Sequence, residues 1–206
     1  MLNRTKYFRK LCLSGSFLVG LISLSSTANA QFIGINADVA IDYSAAPGKV
    51  SGGSVGISHP APFIPNIGYS YVSFIDKESI TNPSDNSSVS LETTTTIKTI
   101  NLFYNVPFPV VTITVGFGLG GVETKTTIKE NNDAQDTSDL ETSVTEAFFH
   151  IGLPFWNTVE FHLGYHFMSF SSIDITKSVN FQGKNYPTVK KSYSGGMTTI
   201  GVQVAF

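Results

Sequence analysis

Arginine and cysteine are almost absent from this chain. Arg4, Arg9 and Cys12 are the sum of both types, and all lie near the N-terminus. Everything after Ala30 therefore has no thiol and no guanidinium. That excludes disulfides, thiolate-bound zinc and cysteine nucleophiles from the bulk of the chain. It also removes the residue that nucleic-acid readers depend on most, so no nucleic-acid partner is expected. Missing too, beyond residue 30, is any unbroken apolar run of the roughly 20 residues that a membrane-crossing helix needs. Any crossing must then be made by strands, whose backbone groups pair in a closed ring.

What is present begins with a targeting signature. Arg4, Lys6, Arg9 and Lys10 form a basic start, Leu11 to Leu24 an apolar stretch, and Ala28-Asn29-Ala30 a small-residue cleavage site. Residues 1–30 are expected to be a cleaved signal peptide, with Gln31 the first mature residue. Cys12 follows Lys10-Leu11, a context that does not suit a lipoprotein signal. Removing four basic and no acidic residues leaves nine lysines against fifteen acids, a net charge of about −6 in place of −2. Residues 31–206 are long enough for one domain.

That domain reads as strands. From Gly195 to Phe206, Thr198, Ile200, Val202, Val204 and Phe206 alternate with Thr199, Gly201, Gln203 and Ala205, the period of a strand with one apolar face. Seven similar stretches precede it. They are 32–43, 53–59, 66–75, 92–106, 111–120, a strand ending at Leu153, and one starting near Val159. In strand one, Ile33 to Tyr43 at odd positions form the apolar face, against Asn36, Asp38 and Asp42. Residues 76–91, 125–140 and 172–193 read as polar loops. Three short turns each carry Pro-Phe, at Pro62-Phe63, Pro107-Phe108 and Pro154-Phe155, where proline stops the ladder and Phe, with Trp156, suits a membrane interface. Short turns at one end and long loops at the other describe an all-β chain, an eight-stranded antiparallel up-and-down transmembrane β-barrel with lipid outside and a small hydrated lumen inside.

A closing strand that ends in Phe resembles that of Gram-negative outer-membrane barrels. His59-Pro60-Ala61-Pro62-Phe63-Ile64-Pro65-Asn66 is similar to the His-Pro-x-Pro-x-x-Pro-Asn turn of a family of small outer-membrane barrels of unassigned function. More distantly, the layout resembles the OmpA/OmpX/OmpW group. The resemblance implies an outer-membrane location, lipid and lipopolysaccharide as surroundings, and assembly by the barrel machinery with Val202, Val204 and Phe206 as its signal; it leaves the oligomeric state open, with a monomer the simplest expectation. It brings no cofactor and no catalytic residue. The function expected is non-enzymatic, structural or surface-interacting through the loops. The alternative is a barrel that binds or transports a small hydrophobic molecule, for which Gly116, Gly118 and Gly120 would leave room.

Chemistry, if any, sits inside. With the last two long strands paired Leu153 to Val159, His150 would face His162, Glu146 would face His166, and Gly152 would face Glu160. Three histidines and two carboxylates so placed have the donor types for a transition metal or a proton relay, and thus for an envelope enzyme. The simpler reading is an internal ion-pair network that fills the lumen, with no metal and no catalysis. A register shift of two residues would keep every side chain on its face and change its partner. The acidic run Glu130, Asp133, Asp136, Asp139 and Glu141 lacks the spacing of a calcium loop, and no serine is expected at a nucleophile elbow.

Overall fold

The computed structural model describes residues 33–206 apart from 62, 83, 131–132, 137–139, 157, 175–179 and 188. The signal-peptide and cleavage residues, including Ala28, Ala30 and Gln31, lie outside the described residues. Eight long strands form the fold: β1 (Gly34–Tyr43), β2 (Val50–Ser58), β3 (Asn66–Thr81), β4 (Ser88–Pro107), β5 (Thr112–Glu130), β6 (Leu140–Trp156), β7 (Val159–Phe170) and β8 (Gly195–Ala205). Each pairs antiparallel with its neighbours in sequence, and β8 pairs with β1. The sheet is therefore a closed up-and-down barrel with no open edge, as the sequence leads one to expect. No helix occurs among the described residues.

Turns lie at one end and long connections at the other. The turn between β2 and β3 explains its own motif. Nε2 of His59 lies 3.2 Å from the Pro65 carbonyl, the Ala61 N–H donates to its Nδ1, and the His59 N–H donates to Asn66 Oδ1. The first and last residues of the motif thus satisfy backbone groups that prolines cannot.

Strands β3, β4 and β5 hold 16, 20 and 19 residues, well beyond the roughly 9–11 needed to cross a hydrocarbon layer. The sequence leads one to expect loops at 76–91 and 125–140. Instead β3 and β4 are joined by six residues (82–87), β5 runs to Glu130, and Asp133–Asp136 pairs back on it. The cue passed over was Val89, Leu91 and Ile128, whose inward faces are buried.

A second correction concerns β1. Its register to β8 shifts between Ala40 and Asp42. This bulge turns Tyr43 inward and leaves Asp42 outside with Ile41, because an extra residue reverses the alternation beyond it. The third concerns β6. Its ladder passes through Pro154 with a bulge before Trp156, and Trp156 pairs with Val159, so residues 154–156 belong to the strand and not to the turn. Asn157 itself is outside the described residues.

The lumen, expected to be small and polar, is apolar over its loop-end half. Near the loop end Tyr43, Val72, Phe74, Ile97, Val122, Val144, Met168, Phe170, Tyr193 and Met197 form a continuous apolar cluster. Above it, Ile80, Val89, Leu91 and Ile128 pack with Phe181 and Tyr186 of the connection 171–194. The described part of that connection around Phe181 and Tyr186 folds over the barrel mouth. Residues 180–181 pair with 184–185 across Gln182 and Gly183, both at positive φ, as a two-residue hairpin turn requires.

Candidate functional site

Below the apolar cluster, toward the turn end, inward positions are polar. Asn36, Asp38, Ser70, Thr99, Asn101, Thr114, Glu146, His150, His162, His166, Thr199 and Gln203 are all buried. Alternation along each strand sends these side chains into the lumen, while Ile35, Val39, Ile100, Leu102, Val115, Phe117, Ile151, Leu163 and Ile200 face out.

The register between β6 and β7 differs from the one expected by two residues. Leu153 pairs with Phe161, Gly152 with His162, His150 with Gly164, Phe148 with His166, and Glu146 with Met168. The ladder that runs on to Trp156 and Val159, with its bulge after Pro154, goes with the shift. None of the expected direct pairings is present. Two of the residue pairs still meet, now along diagonals of the sheet. Nδ1 of His166 lies 2.5 Å from Oε1 of Glu146, and the rings of His150 and His162 stack at 5.1 Å. Nε2 of His150 and Nε2 of His166 are 3.1 Å apart.

Asp38 joins from the far side of β8, and the sequence reading left it out of the cluster. Its Oδ1 lies 2.5 Å from Nε2 of His162, and its Oδ2 accepts a hydrogen bond from Ser54 at 2.9 Å. Nothing in the β1 sequence ties Asp38 to His162, because the two are 124 positions apart and β8 lies between their strands. Glu160, by contrast, is only half-buried and sits opposite Gln203 and Pro154, toward the turn end.

The result is a chain of contacts across the lumen: Ser54–Asp38–His162, then His150, then His166–Glu146. Thr99 donates to Oε2 of Glu146, Ser70 reaches Oε1 at 3.4 Å, and Asn101 donates to Ser70 at 2.6 Å. Phe148 stacks on His166 with centroids 4.9 Å apart. Glycines make the space. A Cβ at Gly201 would collide with Asp38 Oδ1 and His162 Nε2, and one at Gly164 with His150 and Thr199. The Gly116 and Gly118 positions are likewise filled, by the Phe148 ring and by Asn101 and Glu146. The room that the alternative transport reading needed is therefore occupied.

Residues 52–56 spell Gly-Gly-Ser-Val-Gly, against the expectation that no such pattern occurs. They lie inside strand β2, not at a strand-to-helix turn. Ser54 donates to the Asp38 carboxylate, and no imidazole hydrogen-bonds to it among the described residues, so the serine–histidine pairing of a triad is not formed there.

Beyond the belt, the charges are exterior. Glu92 sits between Lys77 and Lys129 at 3.3 and 3.0 Å, and hydrogen bonds from both lysines hold its carboxyl below the usual range. Glu123 pairs with Lys98 at 2.7 Å and stands opposite Glu141 in the ladder. Within the capped mouth, Asp76 accepts from Lys191 at 2.6 Å and from Tyr193 at 2.8 Å. Burial and the Asp76 hydrogen bond raise the Tyr193 phenol far above its ordinary value. In the acidic run, residues 133–136 form the short strand beside β5 and Asp139 lies outside the described residues.

No protein-family model matches the chain, and no curated protein matches it. Solved structures do. A major outer membrane protein from Thermus thermophilus superposes with a TM-score of 0.57 at 8% identity, over 84% of this chain and 99% of that one. The N-terminal β-barrel domain of Pseudomonas aeruginosa OprF covers 84% of this chain and 96% of that one, at 14% identity and a TM-score of 0.41. Neisserial surface protein A gives the same coverages and identity with a TM-score of 0.43. The likeness is one of fold.

Proposed function

We propose that the chain is an integral outer-membrane barrel of a Gram-negative bacterium, non-enzymatic, whose role lies in the surface it builds outside the membrane. The observation that carries this is the outer belt. On all eight strands alternate residues are large, apolar and exposed, from Ile35 and Val39 through Ile57, Ile67, Ile100, Leu119, Ile151 and Leu163 to Ile200. A soluble barrel would leave this whole circumference in water, far beyond the roughly few hundred Å² that soluble proteins expose. Phe63, Phe108, Phe155 and Phe206 ring the turn end, as aromatics do at a membrane interface.

In this orientation the turn end faces the periplasm and β3–β5 project outside with the 171–194 cap. The filled lumen favours a structural barrel over a conduit. Its polar cluster, Glu146, His150, His162, His166 and Asp38, serves as an internal brace, with Glu160 nearer the periplasmic mouth. Lipid and lipopolysaccharide surround the belt. The barrel assembly machinery reads Val202, Val204 and Phe206, and the chain works as a monomer. The test is electrophoretic mobility of boiled and unboiled protein in a washed outer-membrane fraction. Two mobilities are expected. A single mobility, with the protein in the soluble periplasm, would overturn the proposal.

A further inference from the structure

We infer that the lumen cluster is a binding site for one divalent transition-metal ion of the zinc class, held by Asp38, His150, His162 and His166. The inference rests on the structural reading of that cluster and gives the brace its central atom. A carboxylate oxygen of Asp38 and a ring nitrogen from each of His150 and His162 lie within 4.8 Å of one another, and all three residues are buried. His166 stands outside that set of three but abuts it, with its Nε2 3.1 Å from Nε2 of His150, and it becomes the fourth donor when its ring closes on the ion. Two nitrogens bound at about 2.0–2.1 Å to one tetrahedral zinc stand roughly that far apart.

The outer partners are those of a metal site. With Nδ1–H of His166 donated to Glu146, its Nε2 lone pair is turned toward His150. Glu146 is itself held by Thr99 and Ser70, and the second oxygen of Asp38 is held by Ser54. A carboxylate that fixes the tautomer of a ligating histidine is the recurrent support of such sites. The ion displaces the direct 2.5 Å contact between Asp38 and His162, which is shorter than the spacing of two ligands on one tetrahedral ion, and His150 and His162 bind as neutral imidazoles with the proton on Nδ1.

Charge points the same way. Two carboxylates, Asp38 and Glu146, lie in the buried lumen, and no lysine pairs with either among the described residues. A dication balances both. Three imidazoles and one carboxylate favour zinc, cobalt, nickel or copper over magnesium and calcium, which take oxygen ligands. The ion would tie β1 to β6 and β7 past β8, where Gly201 leaves the gap.

The experiment uses the untagged mature chain, refolded in detergent with Zn²⁺ or Co²⁺, then freed of loose metal by gel filtration and analysed for metal content. One ion per chain is expected, with tetrahedral cobalt bands in the visible spectrum and a higher temperature of the folded-to-unfolded mobility shift. Glu146→Gln should weaken retention about 10–100-fold, and His162→Gln should abolish the cobalt bands. Because the wild-type spectrum is itself decisive, the test survives variants that do not fold. Folded, heat-modifiable wild-type protein without stoichiometric metal or cobalt bands overturns the metal site and leaves the membrane reading standing. Stoichiometric metal in a protein that is not heat-modifiable does the reverse.

Discussion

Two halves of the same barrel are built on opposite plans. In β4, even-numbered residues from Ile100 to Val106 face outward and are apolar, while Thr99 and Asn101 face in and are buried. Ten residues earlier the parity is unchanged, with Val89, Leu91, Thr93, Thr95 and Ile97 all buried. Yet now the apolar side chains are inside, and Glu92, Thr94, Thr96 and Lys98 line the outer face. β5 makes the same exchange between Leu119 outside and Val122 and Ile128 inside. The pleat runs on without a break; what reverses is the medium beyond it. Where lipid surrounds the wall, greasy residues face out and the lumen can hold a polar network. Where water surrounds it, the wall needs a core of its own.

The comparison breaks most visibly at the apolar plug between the halves. Phe74, packed against Tyr43 and Tyr193 at 5.4 and 5.2 Å between ring centroids, should cost about 3–5 kcal/mol when replaced by Ala. Unfolding in denaturant, followed by loss of the compact electrophoretic form, would measure it. Leu91→Ala, higher up, should cost about 2–5 kcal/mol but act locally. Hydrogen exchange should rise in 80–91 and in the cap, and protection in β7 and β8 should hold.

Lipid-facing charge gives the next effect. Val202→Arg should cost about 2–4 kcal/mol near the bilayer midplane, falling toward roughly 0–1 at the interface. Thr96→Arg on the projecting wall should be nearly silent. Equal tolerance at both sites would mean that one medium surrounds the whole barrel. Among exposed ion pairs, Lys129→Ala should change stability by no more than about 1 kcal/mol, less in high salt.

The smallest effect is one of pH. Hydrogen bonds from the Ser87 side chain and backbone, with Lys184 beside it, lower the Asp85 carboxyl to about 2. A depressed carboxyl stabilises the folded loop above its unfolded value of 3.8, and that contribution is lost as pH falls through about 2. An NMR titration of Asp85 should show the low midpoint, and Lys184→Ala should move it upward.

These contrasts also mark what was legible in the sequence. Lipid-facing alternation in β5, β7 and β8 was plain because the outward residues are apolar and the inward ones mostly small or polar. Residues 76–81, 88–91 and 125–130 of β3, β4 and β5 read as loops, because an outward apolar face is what marks the other strands. Their outward residues are largely Ser, Thr, Lys and Glu, and their apolar set is sparse and inward. Tyr43 was assigned outside because a single-residue bulge leaves no mark in the composition around it. The histidines on β6 and β7 were found, since they share inward parity with Glu146. Asp38 was seen as inward but not as their partner.

The sequence by itself determined the strand count, the closed antiparallel order and the face on which most side chains lie, because a period of two is a local property of the chain. Only the tertiary structure decided who meets whom. The ladder between β6 and β7 runs on to Trp156 and Val159, two positions from the expected register, and ring closure brought Asp38 of β1 within reach of His162 of β7. Contacts of that kind depend on register and barrel curvature, which no single strand encodes.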